Sequence, residues 1–223
     1  GTPRMANPNS WVKPQRPVRP RDIVEVAERT GAGGEVLIPL DEEAVRIAAR
    51  QFKDRNISSI AIAFLHSYSN PDHEVRAREL ILEEFPEAQV SLSSEVLAVF
   101  REYERTITTV LNAYVMPRVG NYISNLESSN RSLDINSTIS IMKSNGGMIG
   151  SGITIRQPVH TALSGPAAGV MATLQIAKNT VMADCVARVI TARDIDLIGF
   201  VAYPQRTPLP TRDGLGLLFT VLR

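Results

Sequence analysis

Two runs of small residues carry most of the chemistry this chain offers. Ser164-Gly165-Pro166-Ala167-Ala168-Gly169 stands just ahead of the apolar stretch Val170 to Ala177, and Ser144-Asn145-Gly146-Gly147 follows the apolar run Ile139 to Met142. Glycine removes side chains from a turn, so a flat or anionic ligand can reach backbone N–H groups where a strand ends or a helix begins. Asn145 adds an amide that both donates and accepts hydrogen bonds. Either run alone is ordinary turn punctuation. Together they point to a nucleotide cleft shaped by Asn145, Gly146, Gly147, Ser164, Gly165, Pro166, Ala168 and Gly169.

A third cluster, Arg101-Glu102-Tyr103-Glu104-Arg105, concentrates charge at a helix start. Arg101, Glu104 and Arg105 read either as substrate contacts or as a solvated first turn. His66 closes an apolar strand and His160 lies near the Gly-Pro run, yet a lone histidine in such places is usually structural, and no catalytic residue is assigned. His66, His73 and His160 have no zinc-ligand spacing, and no metal site is expected. A single cysteine, Cys185, excludes an internal disulfide and has no neighbour that would activate it.

The elements that position these groups alternate along the chain. Val36 to Leu40 reads as a strand, and Asp41-Glu42-Glu43 caps a helix whose Val45, Ala48, Ala49 and Phe52 form one buried stripe ending at Asn56. Ile60 to Leu65 has the unbroken apolar pattern of a strand covered on both faces. Asn70-Pro71 starts a helix that Pro86 stops, and Gln89 to Leu92 is the next strand. A long helix is predicted from Arg101 to Glu127 with a bend at Pro117. Ile107, Val110, Leu111, Tyr114, Val115 and Leu126 lie on its apolar face. Ser128 to Ser137 is a polar loop. The alternation predicts an α/β fold with a mixed sheet, helices on both faces, and both glycine runs at the carboxyl ends of strands.

With 24 basic and 23 acidic residues, the net charge of +1 gives no reason to expect nucleic acid or an anionic membrane as partner. No apolar stretch is long enough to span a bilayer, and the Pro/Arg-rich opening lacks a signal peptide's apolar segment, so a cytoplasmic protein is expected. Residues 1–20 are read as disordered, 21–180 as the α/β region, and 181–223 as a tail whose folding the sequence leaves open.

Several runs resemble the hydantoinase/oxoprolinase family, which includes N-methylhydantoinase, 5-oxoprolinase and acetone and acetophenone carboxylase subunits. They are Gly34 to Leu40, Phe64 to Pro71, Ser93-Ser94-Glu95-Val96, Arg101 to Thr106, Leu111 to Val115, Ser144 to Gly147 and Ser164 to Gly169, in order over roughly residues 20–180. The resemblance implies an actin-like, ribonuclease H-type ATPase fold, here incomplete, with the Gly-Pro-Ala-Ala-Gly run near the nucleotide. It also implies ATP and Mg²⁺ as cofactors. The implied reaction is opening of a cyclic amide such as 5-oxoproline or a hydantoin, with ketone carboxylation and an inactive scaffold as the alternatives. A companion hydantoinase B-type subunit or domain is the implied partner, with a homo-oligomer left open. Two Asp-x-Gly-Gly-Thr phosphate loops of that family are absent. Where the second would fall the chain reads Met182-Ala183-Asp184-Cys185-Val186-Ala187, so a fragment lacking most of its phosphate-binding apparatus is expected.

Overall fold

The computed structural model describes residues 17–178 and 215–220. Its core is a four-stranded sheet, entirely parallel, built from β1 (Ile23–Val26), β4 (Ser59–Ala63), β5 (Gln89–Leu92) and β8 (Leu215–Thr220) in the order β1-β8-β4-β5. Two small antiparallel pairs stand apart from it: β2 (Arg29–Thr30) with β3 (Val36–Ile38), and β6 (Ser140–Met142) with β7 (Met148–Gly150). The α/β class and the helices on both faces hold. The expected single mixed sheet is replaced by one parallel sheet and two separate hairpins.

Strand β4 shows why both faces are covered. All five of its residues are buried, and the side chains alternate across the sheet. Ile60 and Ile62 join a core with Phe52 of α1 (Glu42–Asp54) and Leu80 and Ile81 of α2 (Asp72–Glu84). Ala61 and Ala63 face the opposite way and pack with Val110 and Ala113 of α4 (Glu102–Ser132). The small alanines let the long α4 lie close against the sheet.

Local chemistry sets the helix ends. The Asp41 carboxylate accepts from Ala44 N at 3.0 Å. At the other end of α1, Asn56 adopts a left-handed φ of 55°, and the N–H groups of Asn56 and Ile57 return to the Lys53 and Phe52 carbonyls. Those two bonds form a Schellman closure, which asparagine tolerates better than most residues. Asn70 Oδ1 accepts from Asp72 N at 2.9 Å, and α2 ends at Glu84 before Pro86.

Three expectations need correction. Helix α4 continues to Ser132, through the start of the predicted loop, with Pro117 inside it. Its buried face shares only part of the predicted stripe: Val110 is buried and Tyr114 packs beside it, but Leu111 is 45% exposed, while Arg105, Thr109, Asn112, Ala113 and Met116 are buried. Polar side chains with partners in the sheet displace the apolar register. Val18, within the opening segment read as disordered, is buried beside Val110, and Pro20–Asp22 forms a 3-10 turn. Six residues of the tail, Leu215–Thr220, form β8. Cys185 and the run from Met182 to Ala187 lie outside the described residues.

Truncating Ile62, which has no exposed surface at the centre of the larger core, removes buried methyl groups the neighbours cannot replace. Ile62→Ala is expected to lower stability by about 2–5 kcal/mol in urea melts. A loss under about 1 kcal/mol would contradict the two-sided burial of β4.

Candidate functional site

Ligands of parallel α/β sheets gather beyond the carboxyl ends of the strands, and there this protein buries a polar cluster. The Glu74 side chain of α2 turns inward with no exposed surface. Its Oε1 accepts from Phe64 N at 2.9 Å, one residue past β4, and from Ser93 Oγ at 2.5 Å, one residue past β5. Its Oε2 accepts from Ser94 N at 2.9 Å and Ser94 Oγ at 2.8 Å. Four donors thus fill the lone-pair directions of one carboxylate. Because the Ser93 hydroxyl proton goes to Glu74, Ser67 Oγ must be the donor in its 2.9 Å contact with Ser93 Oγ.

Arg105 approaches the same strand end from α4. It is 1% exposed, its Nη2 donates to Phe64 O at 2.7 Å and its Nη1 to Val99 O at 3.2 Å, and its guanidinium lies 5.6 Å from the Tyr68 ring centroid. Burial pulls its pKa below the ordinary arginine value, opposed by the charges of Glu74, Glu102 and Tyr68. Between these anchors the turn holds His66 at a φ of 58°, with Nδ1 3.3 Å from the Tyr68 hydroxyl. Of the residues read as substrate contacts, Arg101 and Glu104 are exposed and face each other at 3.6 Å, while Arg105 is internal. Its bonds are those of a brace between α4 and the sheet.

Asn112, about two turns beyond Arg105 on α4, carries the frame onward. Its Nδ2 donates to Ser91 Oγ and to Arg156 O, each at 2.9 Å, and its Oδ1 accepts from Val159 N at 3.1 Å. The first bond reaches β5; the others fix the end of α5 (Ser151–Arg156) and the 3-10 turn Pro158–Thr161. From that turn His160 O accepts from Ser144 N at 2.8 Å, which locates the β6–β7 hairpin. Burial first, then the Lys143 charge, pulls the His160 pKa below its ordinary 6.5, against a backbone hydrogen bond at Val96.

The hairpin turn explains its own glycines. Gly146 N bonds Lys143 O at 3.0 Å, Lys143 N bonds Gly147 O at 2.7 Å, and Gly146 has a φ of 84°. This is a type I turn followed by a left-handed residue, the three-residue hairpin loop that favours glycine. Asn145 Oδ1 accepts from Gly147 N at 3.1 Å. The turn therefore does not cap a strand of the parallel sheet, as expected, but a separate hairpin.

The second run is likewise not a loop. Ser164 to Gly169 forms the first turns of α6 (Ser164–Lys178). Proline is accepted there because the first helical N–H groups have no intrahelical acceptor in any case. The turn lies against α6 beyond the run: a Cβ on Gly146 would stand 3.1 Å from Met171 Cγ, about two turns along the helix from Ser164. Among the described residues, a Cβ on Gly165 or Gly169 would meet nothing within 4 Å. A helix start built of small residues leaves its first N–H groups open to an anion. Between Asp134 and Asp184 the sequence has no acidic residue, while Lys143, Arg156 and Lys178 are cationic. That favours an anion and supplies no ligand for Mg²⁺. Among the described residues no group of three metal-ligating side chains comes together. The described clefts lie elsewhere, one of about 340 Å³ along the end of α4 near Arg131 and Ser137, the other an apolar one of about 160 Å³ between Val18 and Tyr103.

Sequence patterns missed Glu74, Ser93 and Asn112 as a connected set. A charged residue at an inward position of α2 and an asparagine on the sheet-facing side of α4 were the available signals.

Comparisons with known proteins converge. The model of the hydantoinase/oxoprolinase N-terminal region matches residues 4–85, and the hydantoinase/oxoprolinase model matches residues 105–188. The first match begins inside the opening segment read as lying outside the fold. The chain is 33% identical over 153 residues to caprolactamase subunit alpha of Pseudomonas jessenii, and 38% identical over 131 residues to 5-oxoprolinase of Saccharomyces cerevisiae. Those alignments cover 69% and 59% of this chain but only 22% and 10% of the relatives. The crystal structure of the ATP-dependent caprolactamase superposes with a TM-score of 0.63. A nucleotide-free acetone carboxylase structure superposes with a TM-score of 0.61 at 30% identity, covering 69% of this chain and 22% of that one. The chain thus spans a quarter or less of the length of the curated relatives it matches. No helix among the described residues is long and apolar enough to cross a membrane.

Removing the Glu74 carboxylate leaves its four buried donors without an acceptor and Arg105 without a nearby opposing charge. Glu74→Ala is expected to cost about 3 kcal/mol or more in chemical denaturation; a cost below about 1 kcal/mol would contradict the clamp. For His160 the folded pKa lies below the unfolded one, so its neutral form is favoured by folding. That contribution is present above pH of about 6.5 and is lost as the pH falls from there through the folded value. The melting temperature is expected to fall over that acid interval, and to fall less in His160→Gln; equal falls would contradict the assignment.

Proposed function

This chain belongs to the hydantoinase/oxoprolinase family, and on that premise we propose that it forms part of an ATP-dependent hydrolase that opens a cyclic amide of the 5-oxoproline, hydantoin or lactam type. The observation that carries the reading is the approach of Gly146 to Met171 of α6, the helix whose open first two turns contain Ser164, Gly165, Pro166, Ala168 and Gly169. In this reading the free N–H groups of Ser164 and Gly165 hold a phosphate of ATP, with Lys143 adding positive charge nearby. ATP, when bound, supplies a phosphoryl group that converts an amide oxygen into a leaving group. The residues of this stretch offer no Mg²⁺ ligand, so no step is assigned to the metal here.

The finer architecture proposed is actin-like, with this chain contributing a parallel sheet covered by α1 and α2 on one face and α4 on the other. Relatives described as subunits alpha, beta and gamma support a companion subunit as partner, and a cytoplasmic location is part of the same reading. Arg105 acts as a positioning residue, through the end of β4; Arg101 and Glu104, both exposed, remain the substrate contacts of the proposal. A carboxylase reading is favoured by the likeness to acetone carboxylase. The scaffold reading is favoured by the hairpin geometry, which accounts for Asn145, Gly146 and Gly147 without a ligand.

Isothermal titration of the full chain with ATP tests the reading. ATP is expected to bind, and Gly165→Glu, which sets a carboxylate in open space at the helix start, is expected to weaken it by about tenfold or more with an unchanged circular dichroism spectrum. Absence of ATP binding would contradict the proposal. ATP turnover stimulated by 5-oxoproline, hydantoin or caprolactam favours the hydrolase, turnover stimulated by acetone with bicarbonate the carboxylase, and binding without turnover the scaffold.

A further inference from the structure

The strand at the centre of the sheet comes from outside the family-matched chain. Strand β8 lies between β1 and β4 and bonds both in parallel register, Ile23 to Val26 opposite Leu217 to Thr220, and Ser59 to Ala63 opposite Leu215 to Phe219. The matched segments are residues 4–85 and 105–188, so β1 and β4, the two strands that β8 bonds, are inside the first of them; β5 falls between the two, and β8 lies beyond both. Strand β1 joins the sheet through β8. Adjacent strands lie about 4.8 Å apart, so β1 and β4 stand two spacings from each other and cannot pair without an intervening strand. Without one, both would present unpaired N–H and C=O groups toward an apolar gap, which buried backbone does not tolerate. Leu218, with no exposed surface, fills that gap within the core formed by Val26, Ile60, Ile62 and Leu92.

We propose that the slot between β1 and β4 is a strand-acceptor site, and that Leu215–Thr220 is an exchangeable occupant that completes the family frame from outside it. The partner chemistry is an extended apolar segment, parallel to β1 and β4, that places a leucine at the position of Leu218. Main-chain hydrogen bonds to two strands supply affinity and the Leu218 pocket supplies selection, the mode by which donated strands complete incomplete sheets. This inference does not depend on the proposed catalysis.

The test uses a fluorescein-labelled peptide with the sequence of Gly214 to Val221, added to the full chain and to its Leu218→Asp variant. In the unaltered chain the tethered strand competes at an effective concentration on the order of 1 mM. The peptide is therefore expected to bind Leu218→Asp saturably, to raise its melting temperature, and to bind the unaltered chain about tenfold more weakly or less. A peptide carrying aspartate in place of the same leucine is expected not to bind. Equal binding to both proteins, or a Leu218→Asp variant that keeps the parent melting temperature, would overturn the proposal. Should Leu218→Asp fail to fold, a specific protease sequence inserted after Ala202 of the full chain replaces it. After cleavage the carboxyl-terminal piece is expected to co-elute with the body and to be displaced by excess labelled peptide. Its loss on cleavage with the melting temperature unchanged, or its retention without exchange, would overturn the proposal.

Discussion

One buried carboxylate holds the working end of this sheet together. Glu74 accepts four hydrogen bonds, from backbone and side chains just past the ends of β4 and β5, and has no contact with water. A buried acceptor with all its donors in place fixes the relative positions of three chain segments, because any displacement strands a polar group in an apolar setting. Arg105 reinforces the same point from the opposite face of the sheet through the Phe64 carbonyl. The strained backbone at His66 is held between these anchors, as expected where the surroundings over-determine a conformation.

From that fixed end, order is relayed outward along α4. Asn112 passes it to the Arg156–Val159 segment, and His160 passes it to the hairpin turn beside α6. The first relay runs from the Asn112 side-chain amide to backbone groups, and the second is a backbone hydrogen bond, so the hairpin is placed through its main chain. The proposed phosphate site is a consequence of this relay: an open helix start, free of acidic neighbours in sequence, presented by groups that are themselves anchored to the sheet. What the site lacks, carboxylates for a metal ion, separates anion binding from the rest of a phosphoryl-transfer apparatus.

Features governed by neighbours in sequence were legible before the structure. The Asp41 cap, the buried stripe of α1, its end at Asn56, the Asn70-Pro71 start and the doubly covered β4 all follow from local rules and came out as read. Features governed by distant partners were not. The inward face of α4 is set by what Arg105 and Asn112 bond across the interface, which a count of apolar residues cannot register. The Gly-Pro run reads as a loop because both residues usually interrupt helices, yet at a first turn neither carries that cost. The central place of β8 could not be read at all, since a short, largely apolar run in a tail does not reveal which slot it enters.

Native-state hydrogen exchange of the Phe64 and Ser94 amides tests the role of Glu74 most directly. If its carboxylate anchors the sheet end, both amides exchange only through global unfolding, with protection equal to that of Ile62 in the middle of β4. Exchange of Phe64 and Ser94 through small local openings, while Ile62 stays protected, would show that the anchor is not there.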